Sequence, residues 1–142
     1  GGGSAPSLFY AQGAGSGAVP SSFTTLDWAA AAIADTGYTE SAGVITIGAA
    51  LDGKVARVDW AAEATGVNNR LELRAQLRVN SGVVAPSSNY SARNATHNTG
   101  NTNGFHYLTL NTGDQIDLQL LGDGAAATLI TTGTMFSIET KS

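Results

Sequence analysis

At 142 residues the chain is long enough for one domain with a self-sufficient hydrophobic core, and with no cysteine that core has no disulfide or thiolate metal site to help it. Only 13% of residues are charged while 18 are glycine, a balance that builds tight turns and close packing of small side chains, and leaves surface suited to covering by partner subunits. A net charge of −4 argues against a non-specific nucleic-acid binder, no apolar run has the ~18 residues of a membrane span, and a start without basic residues or a long apolar run lacks the marks of a signal peptide.

Residues 1–22 are rich in Gly, Ser, Ala and Pro around one apolar cluster, Leu8-Phe9-Tyr10. That cluster reads either as a first edge strand or as the anchor of a flexible arm that docks on a neighbouring subunit or another protein. The organisation adopted is an arm over 1–22 and a domain over 23–142. Residues 23–34 (FTTLDWAAAAIA) offer alanine's helix propensity, but a threonine pair precedes the run and Asp35-Thr36-Gly37 stops it, so an extended segment is expected. Asp52-Gly53 between two β-type runs, 44–51 and 54–64, predicts a hairpin whose turn needs φ > 0. In the second run Val58, Trp60, Ala62 and Ala64 fall on one face, with Arg57, Asp59 and Glu63 on the other.

The alternation is strictest over 70–79, where Leu71, Leu73, Ala75, Leu77 and Val79 interleave with Arg70, Glu72, Arg74, Gln76 and Arg78. A helix would scatter these leucines around its circumference, so the segment is a half-buried strand. Asn80-Ser81-Gly82 turns the chain into Val83-Val84-Ala85, which Pro86 stops. Residues 86–104, rich in asparagine, read as a long polar connection with a functional role or mobility. Alternating runs around Tyr107–Leu110 and Ile116–Leu120 flank Asn111-Thr112-Gly113-Asp114. After Gly122-Asp123-Gly124, the runs 128–131 and 135–140 close the chain. Short strands punctuated by Gly, Asn or Asp at this spacing predict an all-β sandwich or jelly roll.

Chemistry finds little purchase in this pattern. His97 and His106 lack companion ligands at metal-site spacing, and no HExxH, P-loop, GxGxxG or GxSxG motif occurs. Asp114 belongs to a turn and Asp117 to the outer face of a strand, where turn chemistry and solvation account for both. No catalytic residue, metal or cofactor is therefore expected, and no enzyme. Arg70, Arg74 and Arg78 line one strand face. They read as a solvated face pairing across strands with Asp59 and Glu63, or as a basic stripe contacting an acidic partner or a neighbouring subunit. Asn89 and Asn94 match the glycosylation pattern but read as loop residues.

The order of the elements carries a resemblance. A strand ending in Tyr38 is followed by Gly-Val-Ile-Thr-Ile, by a strand with a central aromatic (Lys54–Thr65) and by an alternating strand ending in an Asn-x-Gly turn (Leu71–Gly82). Leu-x-Leu-x-x-Gly-Asp-x-Ile-x-Leu-x-Leu (Leu108–Leu120) and a terminal Gly-Thr-Met-Phe-Ser-Ile complete it. Over residues 23–142 this resembles the C1q/tumour-necrosis-factor jelly roll. The resemblance implies a compact homotrimer, with Trp60, Tyr107 and Phe136 as candidates for either the subunit core or the trimer interface. Cysteine-free versions of the fold, rich in Ala, Gly and Thr, resemble virion proteins of tailed bacteriophages. The implied role is a non-enzymatic capsid-decoration (cement) protein on the outer surface of a phage head assembled in the host cytoplasm. Its partners would be itself and the major capsid protein, with Leu8, Phe9 and Tyr10 as the capsid-contact arm. The alternatives are a receptor- or glycan-binding fibre head presenting residues 86–104, and a secreted C1q-like binding module.

Overall fold

A computed structural model of the chain describes residues 5–13, 17–28, 31–65, 71–90, 99–124 and 127–142. Among them run β1 (Leu8–Gln12), β2 (Thr24–Thr25), β3 (Ala31–Ala34), β4 (Tyr38–Ser41), β5 (Val44–Ile47) and β6 (Val55–Thr65). These are followed by β7 (Leu71–Val79), β8 (Gly82–Tyr90), β9 (Thr99–Thr109), β10 (Gln115–Gly124), β11 (Thr128–Leu129) and β12 (Met135–Thr140). They form two antiparallel sheets packed face to face. In the first, β9 pairs the whole length of β6, whose other side carries β12 and, at the far end, β11; β1 and β3 follow. In the second, the order is β4-β5-β10-β7-β8, with β2 also on β10. The fold is a jelly-roll β-sandwich.

Period-two patterning builds the core between the sheets. From β6 come Ala56, Val58, Trp60, Ala62 and Ala64; from β7, Leu71, Leu73, Ala75 and Leu77; from β10, Ile116, Leu118 and Leu120, all buried. Burying each of the large apolar side chains contributes about 1.5–3 kcal/mol. An aromatic cluster fills one part of this layer. Trp28 stacks on Phe136 at 5.9 Å between centroids, and Phe9 meets Phe136 at 6.3 Å and Tyr38 at 6.1 Å. Burial, reinforced by Asp35 and Glu139, pushes the Tyr38 phenol above its ordinary pKa, and its hydroxyl donates to the Ser7 carbonyl at 3.1 Å.

Trp60 is a core residue with a polar tether. Its Nε1 donates to Ser87 Oγ at 2.9 Å, and the Thr102 hydroxyl donates to the same oxygen at 2.8 Å. Ser87 lies in the second sheet and Trp60 and Thr102 in the first, so one hydroxyl joins the layers. Gly104 sits opposite Trp60 in register, and a Cβ there would lie 2.5 Å from the indole ring.

Three expectations change. The arm assigned to residues 1–22 is in part built into the fold. Leu8–Gln12 lies between β12 and β3, Phe9 is fully buried, and Val19 packs against the core. The strand is interior to its sheet, not an edge, because β3 covers its outer side. The Asp52-Gly53 hairpin is also corrected, since β5 and β6 belong to different sheets. A three-residue 3-10 turn (Ala49–Leu51) precedes it, Asp52 has φ −58° and ψ 129°, and Gly53 has φ 78°. With Lys54 N–H donating to Leu51 O at 3.1 Å, this is a type II turn carrying the chain across the sandwich. The true primed hairpin turn is at Asn80-Ser81, with φ 51° and 68°, joining β7 to β8. Finally, much of the connection assigned to 86–104 is strand. Residues 86–90 extend β8 and 99–104 begin β9, because the partner strands β7 and β6 offer a full ladder whatever the local propensity. His97 and Asn94 lie outside the described residues.

Candidate interaction face

The outer surface of the first sheet is set by the residues that alternate with the core. Because β9, β6, β12 and β1 are in fixed register, Phe105, Asp59, Ser137 and Tyr10 form one row across them. Tyr107, Arg57, Glu139 and Leu8 form the next. Phe105 is 56% exposed and Tyr107 45%, with their rings edge to face at 6.1 Å and the exposed Val55 beside them. Arg57 lies over this pair, its guanidinium carbon 4.3 Å from the Phe105 centroid and 5.8 Å from that of Tyr107. Its Nε donates to both Asp59 carboxylate oxygens, at 3.0 and 3.1 Å. The bond to Asp59, followed by that to Tyr107, raises the guanidinium's pKa further above an already high value, so the group is a permanent cation. The Lys141 ammonium approaches the Tyr107 ring at 5.8 Å.

Where Ala61 and Ser137 replace larger side chains, the surface dips into a depression of about 300 Å³, bordered by Phe105, Asn103 and Met135. Two projecting aromatic rings, an arginine over them and an adjacent hollow match the composition of protein–protein interface cores, which are enriched in aromatics, Met and Arg. An aromatic cluster left this open is also unusual for a surface that meets only water.

The residues singled out from sequence separate cleanly. Trp60 and Phe136 point into the subunit core, while Tyr107 stands on the outer face. Within Leu8-Phe9-Tyr10, Phe9 is core, and Leu8 and Tyr10 are half-buried on the face. Phe105, Arg57 and Val55 were not anticipated as members. Their signal was parity: Phe105 and Tyr107 are two apart, but the polar stretch assigned to a connection hid the strand that aligns them.

The basic stripe does not survive as a unit. Arg70 lies outside the described residues. Arg78 is held by Asp117, with Nη2 at 2.9 Å and Nε at 3.1 Å, and the Thr25 hydroxyl donates to the same carboxylate. Asp117 is 3% exposed, so it is a buried, paired carboxylate and not a solvated one. The partners proposed for the stripe are corrected too. Asp59 pairs with Arg57 and sits, like Glu63, on the other sheet, because β6 and β7 are not neighbours. Arg74 alone of the two described members stays open, with Glu72 Oε1 at 3.8 Å from its Nε and its guanidinium 5.5 Å from the Phe23 ring. Asp114 is turn chemistry, accepting from Asn80 Nδ2 at 3.0 Å and from the Asn111 amide at 3.1 Å. His106 is half-buried on β9.

No protein-family model and no curated protein matches the chain. Solved structures do match. The chain is similar to murine APRIL at pH 8.5, with TM-score 0.69, 11% identity, and coverage of 96% of this chain and 99% of that one. It is similar to Eiger TNF from S. frugiperda, with TM-score 0.70, 9% identity, and coverage of 96% and 93%. Similarity at this level of identity establishes the architecture, a TNF-like jelly roll.

Proposed function

We propose that the chain is a non-enzymatic binding module that works as a homotrimer, with the outer face of the first sheet as its subunit contact. The carrying observation is the exposed Phe105–Tyr107 pair with Arg57 stacked over it beside a shallow hollow. In a threefold ring each copy offers the same face and meets a different part of its neighbour, so projecting rings and a hollow on one surface can serve both sides of every contact. Burying the two rings removes a large apolar area from water, and aromatic residues near the centre of such contacts carry much of the association energy. The resemblance to C1q/tumour-necrosis-factor domains supports the same assembly.

Within that reading, the role we favour is decoration of a virus shell. Support comes from the absence of cysteine and the 13% charged residues, which suit a particle assembled in reducing cytosol and held by packing. With Leu8–Gln12 committed to the sheet, shell contact falls to surfaces of the trimer other than that strand.

Replacing Phe105 and Tyr107 together by aspartate tests the assembly. The expected product keeps its β circular-dichroism spectrum and sediments as a monomer; a folded double variant of unchanged mass contradicts the proposal. Mixing the wild-type protein with expanded heads of a tailed phage tests the role, with saturable co-sedimentation expected. Absence of binding to heads of any type tried removes the decoration role and leaves the assembly untouched.

A further inference from the structure

On the opposite side of the sandwich, the second sheet carries a groove of about 390 Å³ between Phe23 and the β7–β8 hairpin, lined by Arg74, Gln76, Pro86 and Ser88. We propose that this groove receives the side-chain carboxylate of an acidic segment of a partner protein, with Arg74 as its counter-ion and Phe23 as the wall that orients it.

The three described arginines differ in how they are committed. Arg57 and Arg78 each donate to a carboxylate within hydrogen-bond distance, at 3.0 Å and 2.9 Å. Among the described residues Arg74 faces one carboxylate, Glu72, at 3.8 Å from Nε, which exceeds a hydrogen bond and is an exposed contact of small worth. Its guanidinium is nevertheless positioned, because it lies 5.5 Å from the Phe23 ring centroid. A guanidinium that spends no N–H on the ring beside it keeps its planar fork of donors for bidentate pairing with a carboxylate.

The rest of the groove fits the same occupant. Gln76 Nε2 spends one of its two hydrogens on Gln119 Oε1 at 2.6 Å, which leaves its second N–H and the Ser88 hydroxyl as the neutral donors for a carboxylate beside Arg74. Pro86 and Phe23 supply apolar walls for the methylenes of a glutamate or for its neighbours. The groove lies beside β8, an edge strand that pairs with β7 and with no other strand among the described residues. The chain's net charge of −4 repels acidic partners in general, so a carboxylate held here is held by this local arrangement.

The test uses the full chain and two blocked pentapeptides, acetyl-Gly-Ser-Glu-Ser-Gly-amide and its glutamine counterpart, followed by nuclear magnetic resonance. The glutamate peptide should give saturable shifts at the amides of Gln76, Ser87 and Ser88 and at Arg74 Nε. The glutamine peptide should bind roughly tenfold more weakly, the worth of one charge-assisted pair. Arg74→Gln should abolish the response, and Phe23→Leu should weaken it while keeping the wall apolar. Arg74→Lys, which retains charge without the planar fork, should fall between them and stands in if Arg74→Gln does not fold. Equal response to both peptides, no response up to roughly 20 mM, or binding that survives Arg74→Gln overturns the proposal. Because Arg74 lies on the sheet opposite the proposed subunit contact, Arg74→Gln should leave the sedimentation mass unchanged, so the two readings fail separately.

Discussion

Removing the Asp117 carboxylate should expose how much of the second sheet depends on one ion pair. Its oxygens accept from Arg78 Nη2 at 2.9 Å, from Arg78 Nε at 3.1 Å and from the Thr25 hydroxyl at 2.5 Å, tying β10 to β7 and β2. The side chains are 5% exposed for Asp117 and 23% for Arg78, so water cannot take over fully from either partner. Breaking a buried pair from one side costs about 3–5 kcal/mol, and the partial exposure of Arg78 places Asp117→Ala near the lower end. At about 2 cal/mol/K per residue, the unfolding entropy of a domain this size is roughly 0.3 kcal/mol/K, so a loss of about 3 kcal/mol lowers Tm by roughly 10 °C. Thermal scans at one fixed protein concentration on Asp117→Ala, Arg78→Met and the double variant close the cycle. The double variant should be less destabilised than the two singles predict, with a coupling of about 2 kcal/mol. Single losses under about 1 kcal/mol that simply add would refute the reasoning and return Arg78 to the solvent as a contact cation.

Other outcomes follow from local geometry. Gly43→Ala should destabilise by about 3 kcal/mol in urea unfolding, because Gly43 has φ 86° and a Cβ would lie 2.0 Å from the Leu26 carbonyl oxygen. Trp60→Phe should cost about 1 kcal/mol more than Trp28→Phe, since the Trp60 indole donates to Ser87 whereas the buried Trp28 Nε1 has no hydrogen-bond partner among the described residues. Equal losses would mean that the Ser87 bond contributes nothing. The Thr112 amide and hydroxyl hold the Asp52 carboxyl below its ordinary 3.8. A depressed folded-state pKa stabilises above the unfolded value and is lost as pH falls through the folded one. Asp52→Asn should therefore flatten the stability profile on its acid side, below about pH 4, and leave its slope near neutrality unchanged.

What was legible in the sequence was parity. On β7 the apolar residues alternate with polar ones without a break, on β6 they do so except for the outward Val55 and Ala61, and every assignment of Val58, Trp60, Leu71, Leu73 and Leu77 to an inner face holds. What was not legible was which sheet each strand joins. Asp52-Gly53 suits a primed hairpin turn and a type II crossing equally well, and only the ladder partners of β5 and β6 decide between them. The strand at Leu8–Gln12 finds its partners at 135–139, at the far end of the chain, so the sequence offers a strand as one reading of Leu8-Phe9-Tyr10 but not the partners that make it interior. Thr99–Gly104 is poor in β-formers and becomes strand because β6 templates it, and this hid the outward alignment of Phe105 with Tyr107. The candidate face was therefore half visible, through Tyr107 and Tyr10, while Arg57 needed the register to be seen as its cation.

The central claim is that the exposed aromatic face closes a ring of three copies, and sedimentation equilibrium of the wild-type chain at micromolar concentration tests it most directly. The account predicts a single species of three times the 14.4 kDa protomer mass, persisting on dilution and in high salt because the contact is chiefly apolar. A well-folded monomer at the 14.4 kDa protomer mass across that concentration range would contradict it.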